Sequence, residues 1–210
     1  MANEAVRGFD QRKRMAFLWL VLPPLLFAIM FSQTAWQEGM FVYELSEQAG
    51  AILVFACVAG RCWSSLYIGA RKNQELVTDG PYRHTRNPLY FFSALGMAGL
   101  GLMLGSLILA AALFTVTWLV FRFVARREAA FLAGAFGEKY RKYRDAVPEF
   151  LPSLRPAIPA TNRPEGVAFS PAALRRTFID ASFFLLILPF SELLEFLHEE
   201  GLLATLVYLY

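Results

Sequence analysis

The chain has 210 residues, 57% of them hydrophobic and 20 of them Phe, with a mean hydropathy of +0.43. A soluble domain of this length is rarely so apolar, so the composition points to a membrane protein. Two cysteines, Cys57 and Cys62, and two distant histidines, His84 and His198, leave no disulfide framework and no metal site to expect.

Apolar runs at about 15–31, 49–69, 89–104, 107–124 and 178–197 predict an all-α, polytopic integral membrane protein with about five transmembrane helices, each needing ~20 residues. The first run follows Arg12-Lys13-Arg14, lacks a small-x-small cleavage pattern and reads as a retained anchor, bent at Pro23-Pro24. The second carries Arg61. With that span ending near residue 70, Arg61 lies ~14 Å inside it, where an ionisable group marks function or a buried partner. Its functional reading is a counterion for an acceptor headgroup; the structural one is a bond to helix carbonyls or to a Glu elsewhere. Ser64 and Ser65 share its face of the helix and extend a polar stripe.

The third and fourth runs are separated only by Gly105-Ser106, which predicts a tight helical hairpin. Gly96, Gly99, Gly101 and Gly105 read as a close-packing face for a neighbouring helix rather than a dinucleotide loop. Asp180, Glu192 and Glu195 interrupt the fifth run, and residues 201–210 are apolar but too few to span. Between the fourth and fifth runs, Pro152, Pro156, Pro159, Pro164 and Pro171 predict an extended connector over 153–171, which separates a core (1–152) from C-terminal membrane or interfacial helices (172–210).

Residues 1–14, 71–88 and 122–177 hold four, four and eleven of the twenty Lys and Arg, and Arg61 is the remaining one. The opposite side would carry Glu38, Glu44, Glu47, Glu199 and Glu200 with no base. The positive-inside rule then places the N-terminus and residues 71–88 in the cytoplasm. The pI near 9.0 reflects these helix flanks, attracted to membrane lipid; no nucleic-acid partner is expected, because no nucleic-acid module surrounds the basic clusters.

The stretch DGPYRHTRNPLY, residues 79–90, carries the densest chemistry. Asn87-Pro88 is a helix start, with Asn suited to the N-cap and Pro to the first helical position. The N–H groups of that start, with Arg83 and Arg86 just upstream, make an anion site, while snorkelling to lipid phosphate is the plainer reading of the arginines. Tyr82 and Tyr90 add aromatic faces. Further on, Leu132, Phe136, Tyr140, Tyr143 and Val147 form the apolar stripe of an amphipathic cytoplasmic helix. Glu128 stands where the fourth span ends, among Arg122, Arg126 and Arg127. An ordinary ion pair is the plainer reading for Glu128.

LVTDGPYRHTRNPLY, the hairpin, and then Glu128, Phe131-Leu132, FGEKYRKY and Val147-Pro148 together resemble the isoprenylcysteine carboxyl methyltransferase family. That family belongs with the phospholipid N-methyltransferases among integral-membrane enzymes using S-adenosylmethionine. The resemblance covers roughly residues 71 to 152. It implies that Gln74, Glu75, Leu76, Val77, Tyr82, Arg86, Asn87, Pro88, Leu89, Tyr90 and Glu128 bind the cofactor S-adenosyl-L-methionine. It also implies that Arg122 helps to place the methyl acceptor. Three positions depart from the family pattern: Asn87 replaces a usual His, Ala129 follows Glu128 in place of a second Glu, and Phe92 replaces a frequent Gly.

The residues suit that chemistry. Methyl transfer from a sulfonium is an in-line displacement that needs alignment and exclusion of water. A carboxylate acceptor needs a cation to hold it, which Arg122 or Arg61 supplies. An amine or hydroxyl must lose a proton, with Glu128 as the base. The expected partner is a lipidic or prenylated acceptor, with a carboxylate ahead of a phospholipid amine. A nicotinamide-dependent membrane reductase and a non-catalytic relative are the alternatives.

Overall fold

The computed structural model describes residues 29–34, 36, 40–69, 75–160 and 170–209. These residues form helices α1 (Phe41–Ile68), α2 (Pro88–Met103), α3 (Leu107–Ala146), α4 (Pro171–Ser182) and α5 (Ile187–Glu199). Two three-residue strands, β1 (Ser32–Thr34) and β2 (Val207–Leu209), pair in parallel with Ser32 opposite Val207. The all-α expectation therefore holds.

Three stretches are long and apolar enough to cross a membrane: α1, α3, and Pro171–Glu199, which joins α4 to α5. The apolar α2 has only 16 residues, about 24 Å of helix against the ~30 Å of a bilayer core. The second to fifth apolar runs thus all become helical. The first run lies, apart from its last residues, outside the described residues. A 3-10 turn, Phe183–Leu186, links α4 to α5. Pro189 has no N–H to give the Leu185 carbonyl, so the helix tightens one turn before it.

Helices α1 and α2 pack through small residues. Gly50, Val54, Cys57, Gly60 and Ser64 are buried along one face of α1. A Cβ on Gly50 would sit 2.8 Å from the Gly99 carbonyl oxygen, and one on Gly96 would sit 2.6 Å from Cys57 Sγ. Gly96 and Gly99 therefore face α1, as the close-packing reading requires. Gly101 does not share that face, because two residues further on is roughly 200° around the helix. It meets the Ala110 backbone of α3 instead, and Gly105, at φ +68°, forms the turn. Phe92 lays its ring where a side chain on Gly60 would stand.

The expected hairpin is present, with the Ser106 hydroxyl accepting from the Leu109 N–H at 3.1 Å to cap α3. The amphipathic segment follows directly on the membrane-like one: α3 consists of two helical stretches that meet at a kink at Gly137, where φ is 52° and ψ −123°. Beyond the membrane-like part, its stripe packs inward. Tyr140, Tyr143 and Val147 are buried against Leu76, Leu132, Phe136 and Ile158.

The two ends of the bundle differ in charge. At one end the Thr34 hydroxyl bonds the Gly105 carbonyl at 2.9 Å, and the Tyr43 hydroxyl bonds Glu195 at 3.4 Å. Glu44, Glu47, Glu199 and Glu200 lie there. The other end gathers residues 75–87, the last turns of α3 and the start of α4, with nearly all the described arginines and lysines.

Candidate active site

The loop before α2 is shaped by Gly80. Its φ is +58°, and a Cβ there would fall 2.5 Å from the Tyr67 ring, so both the turn and the close approach require glycine. A 3-10 turn, Gly80–Arg83, follows and directs Tyr82 inward, where it is 5% exposed. The Tyr143 hydroxyl donates to the Tyr82 carbonyl at 2.8 Å and ties the loop to α3.

One side of this loop is bound by residues 148–158. The Arg86 and Ser153 N–H groups donate to the Pro148 and His84 carbonyls, both at 2.9 Å. The Ala157 N–H reaches the Arg83 carbonyl at 2.9 Å, and Arg83 Nε donates to the Ile158 carbonyl at 2.8 Å. Thr85 Oγ1 donates to the Phe150 carbonyl at 2.9 Å and Asn87 Nδ2 to the Glu149 carbonyl at 2.8 Å. His84 Nδ1 lies 2.8 Å from the Ser153 carbonyl oxygen.

Two sequence expectations are corrected here. Arg83 gives its Nε to a main-chain carbonyl and, unlike Arg86, does not line the cavity on the other side of the loop. Asn87 does occupy the N-cap position with Pro88 first in the helix, but its side chain makes no cap bond; the Glu149 carbonyl takes its amide.

The other side of the loop faces a partly open cavity of about 180 Å³. It is lined by Ile68, Glu75, Leu76, Val77, Tyr82, Arg86, Asn87, Pro88, Leu89, Tyr90, Glu128, Leu132 and Tyr143. Every residue expected to bind the cofactor is among them except Gln74, which lies outside the described residues. A chamber of about 20 Å³ adjoins it, sharing Arg86, Asn87, Glu128, Leu132 and Tyr143 and adding Glu149.

Within the cavity, Glu128 Oε2 accepts from the Tyr90 hydroxyl at 3.0 Å. Among the described residues no ion pair joins Glu128 to Arg122 or Arg126. Tyr90 itself stacks on Phe121, with ring centroids 4.6 Å apart. Among the described residues the Tyr82 hydroxyl and Arg86 Nε are buried without a hydrogen-bond partner, an arrangement that is costly unless a ligand completes it. Burial pushes the Tyr82 phenol well above its ordinary pKa, and Tyr143, Glu128 and Tyr90 push the same way. Tyr82 is therefore a neutral donor.

Arg122 and Arg61 are not brought to this cavity. Arg122 lies 5.6 Å from the Trp118 ring and pairs loosely with Glu149 at 3.9 Å, touching the small chamber only through that carboxylate. Arg61 Nη1 donates to Ser93 Oγ, and Ser93 donates in turn to the Leu89 carbonyl at 2.7 Å. Ser64 and Ser65 do not extend its polar stripe: Ser64 bonds its own helix at Gly60, and Ser65 accepts from Thr177 at 2.9 Å. Ile68, Leu132 and Tyr143 were not foreseen as lining residues. Leu132 and Tyr143 belong to the apolar stripe, and only the Tyr143 hydroxyl marked its position as more than packing.

The site thus combines unpartnered donors (Tyr82, Arg86), a carboxylate fixed by a phenol (Glu128, Tyr90) and an apolar wall (Ile68, Leu76, Val77, Leu89, Leu132). This donor set fits a ligand that carries an anionic group, a cationic centre and an apolar or aromatic body.

Residues 49–139 match the phospholipid methyltransferase family. The chain is 33% identical to the cobalt-zinc-cadmium resistance protein CzcN of Cupriavidus metallidurans, over 98% of this chain and 92% of that protein. It is 35% identical to the nickel-cobalt-cadmium resistance protein NccN of Alcaligenes xylosoxydans xylosoxydans, over 73% of this chain and 71% of the relative. It is also 33% identical to the protein-S-isoprenylcysteine O-methyltransferase of Schizosaccharomyces pombe, over 46% of this chain and 41% of that enzyme. No solved structure matches significantly. With motifs, membrane helices and a nearly full-length relative in agreement, the chain belongs to the family of integral-membrane methyltransferases that unites the phospholipid methyltransferases with the isoprenylcysteine carboxyl methyltransferases.

Proposed function

We propose that this chain transfers a methyl group from S-adenosylmethionine to a lipidic acceptor, with a carboxylate as the favoured accepting group. The observation that carries this reading is the convergence of residues 75–90 with Glu128 on one cavity, where Tyr82 and Arg86 hold unpartnered buried donors. S-adenosylmethionine, when bound, supplies an electrophilic methyl group on a sulfonium. Arg86 and the neutral Tyr82 phenol bind its carboxylate. Glu128, held in place by Tyr90, offers the negative charge that complements a cationic centre. Leu76, Val77, Leu89 and Leu132 cover the apolar body and exclude water. A ligand larger than the cavity extends through its open side.

In the transfer, a bond forms from the acceptor oxygen to the methyl carbon as the carbon–sulfur bond breaks, and its electron pair stays on sulfur. A carboxylate acceptor arrives ionised and needs no base. An amine acceptor would first lose a proton, and a Glu128 carboxylate oxygen is the acceptor for it. The same reading puts the cavity at the cytoplasmic surface, supported by the charge difference between the two ends of the bundle. In the metal-resistance setting that two relatives' names describe, the role that fits this donor set is methylation of a membrane component.

The test uses purified protein in lipid nanodiscs with methyl-tritiated S-adenosylmethionine and extracted membrane lipids. Label that enters the organic phase and is released by mild base as volatile methanol identifies a carboxyl ester, the expected result. Base-stable lipid label would move the acceptor to a phospholipid amine. No transfer to any lipid, with the cofactor bound, would mean a non-catalytic relative.

A further inference from the structure

Arg61 is the only Lys or Arg within the membrane-spanning part of α1. It stands seven residues before Ile68, and Ser93, its partner, stands five residues after Pro88. Ile68 and Pro88 both line the cavity, so the guanidinium lies about 8–10 Å deeper into the apolar bundle than the cavity's edge. Ser93 is linked back to Leu89, a cavity residue, through the Leu89 carbonyl.

An arginine at this depth calls for an anion. Among the described residues no carboxylate pairs with it: the ion pairs are Arg122–Glu149, Arg141–Glu138 and Arg144–Asp145. Its hydrogen bond goes to a neutral hydroxyl, and its Nε is buried without a partner among the described residues. Ser64, Ser65 and Thr177, the nearby hydroxyls on α1 and α4, are bonded to Gly60 and to each other.

From this geometry we infer that Arg61 is the docking point for the monoanionic headgroup of a membrane amphiphile, held beside the α1–α2 seam at the depth of Ser93, beneath the cavity. This deepens the methyltransferase reading and rests on it for one consequence: the headgroup held there is the acceptor, or is covalently next to it. A span-embedded anchor selects ligands that bring their own apolar body, because a water-soluble anion would have to shed its hydration with nothing in return. The Arg61–Ser93–Leu89 chain keeps the headgroup within about one helical turn of the cavity wall.

The experiment is photocrosslinking in phosphatidylcholine nanodiscs. Three probes carry a diazirine next to the headgroup: a long-chain fatty acid, its methyl ester, and phosphatidic acid. Crosslinks are mapped to peptides, and S-adenosylhomocysteine binding is measured on the same samples. The fatty acid is expected to label α1 and α2 around Arg61 and Ser93, with the ester about tenfold weaker. Arg61→Gln should lose that labelling by a similar factor, Arg61→Lys should retain most of it, and both should still bind S-adenosylhomocysteine. Labelling by phosphatidic acid alone, with the same dependence on Arg61, supports the anion site and assigns it to a phospholipid phosphate. Equal labelling by acid and ester, or undiminished labelling of Arg61→Gln, overturns the proposal. Should Arg61→Gln fail to fold, the comparison of acid with ester on the wild type still decides. Arg61-dependent labelling in a wild type with no affinity for S-adenosylhomocysteine leaves the anion site standing and removes the methyltransferase reading instead.

Discussion

Arg83 and Arg86 are three residues apart in one loop and carry the same guanidinium, yet their surroundings differ. Arg83 Nε donates to the Ile158 carbonyl at 2.8 Å, while Arg86 lines the cavity with its Nε unpartnered. His84 and Thr85 follow Arg83 onto the carbonyls of 149–153, and Tyr82 sides with Arg86. One face of the loop is a fastening and the other is a set of donors awaiting a ligand. A basic motif therefore does not act as one electrostatic patch: the backbone groups that meet each side chain decide whether its charge is available.

The sharpest way to break this contrast is to truncate the two arginines in parallel. Arg86→Met should weaken S-adenosylhomocysteine binding about 100-fold, the loss of a charged hydrogen-bonding group from a buried site, whereas Arg83→Met should change it by less than about threefold. Calorimetry on both proteins checks this, and equal losses would erase the distinction. Next in size is Tyr90→Phe, which keeps the stack on Phe121 and removes the hydroxyl from Glu128. It should lower kcat/KM for methyl transfer about tenfold. On the fastening side, Thr85→Val leaves the buried Phe150 carbonyl without its donor. It should cost about 1–2 kcal/mol of stability, or a few degrees of melting temperature, with cofactor affinity per folded molecule unchanged. The smallest effect on the site is expected at the bend of α3. Gly137→Ala meets no neighbour within 4 Å but must hold φ 52° and ψ −123°, a conformation that favours glycine, at about 1–3 kcal/mol. Its melting temperature should fall, with little change in activity.

Most of the helical framework is legible in the sequence because membrane spans are specified by composition over long windows, and the Gly105-Ser106 hairpin by two residues of turn chemistry. The cavity side of the loop is legible through a motif whose spacing matches a family. The fastening side is not, because its acceptors are main-chain carbonyls of Pro148 to Ile158, which any residue type presents equally. Proline content predicts an extended course there and says nothing about what the extended chain bonds. Ser64 and Ser65 likewise look like companions of Arg61 on a helical wheel, while Ser64 bonds the Gly60 carbonyl of its own helix and tertiary packing gives Ser65 to Thr177. The glycines were legible as small residues, but a count of two between Gly99 and Gly101 turns the helix too far for one shared face.

The most direct test is calorimetric titration of S-adenosylhomocysteine into the purified protein in lipid, wild type beside Glu128→Ala. Micromolar affinity in the wild type, lost by about 100-fold or more in a variant that remains folded, is the expected result and would make the cavity between the loop and α3 the cofactor site. Equal affinity in the two proteins would contradict the assignment of Glu128 and that cavity, and no binding in either would contradict the cofactor itself.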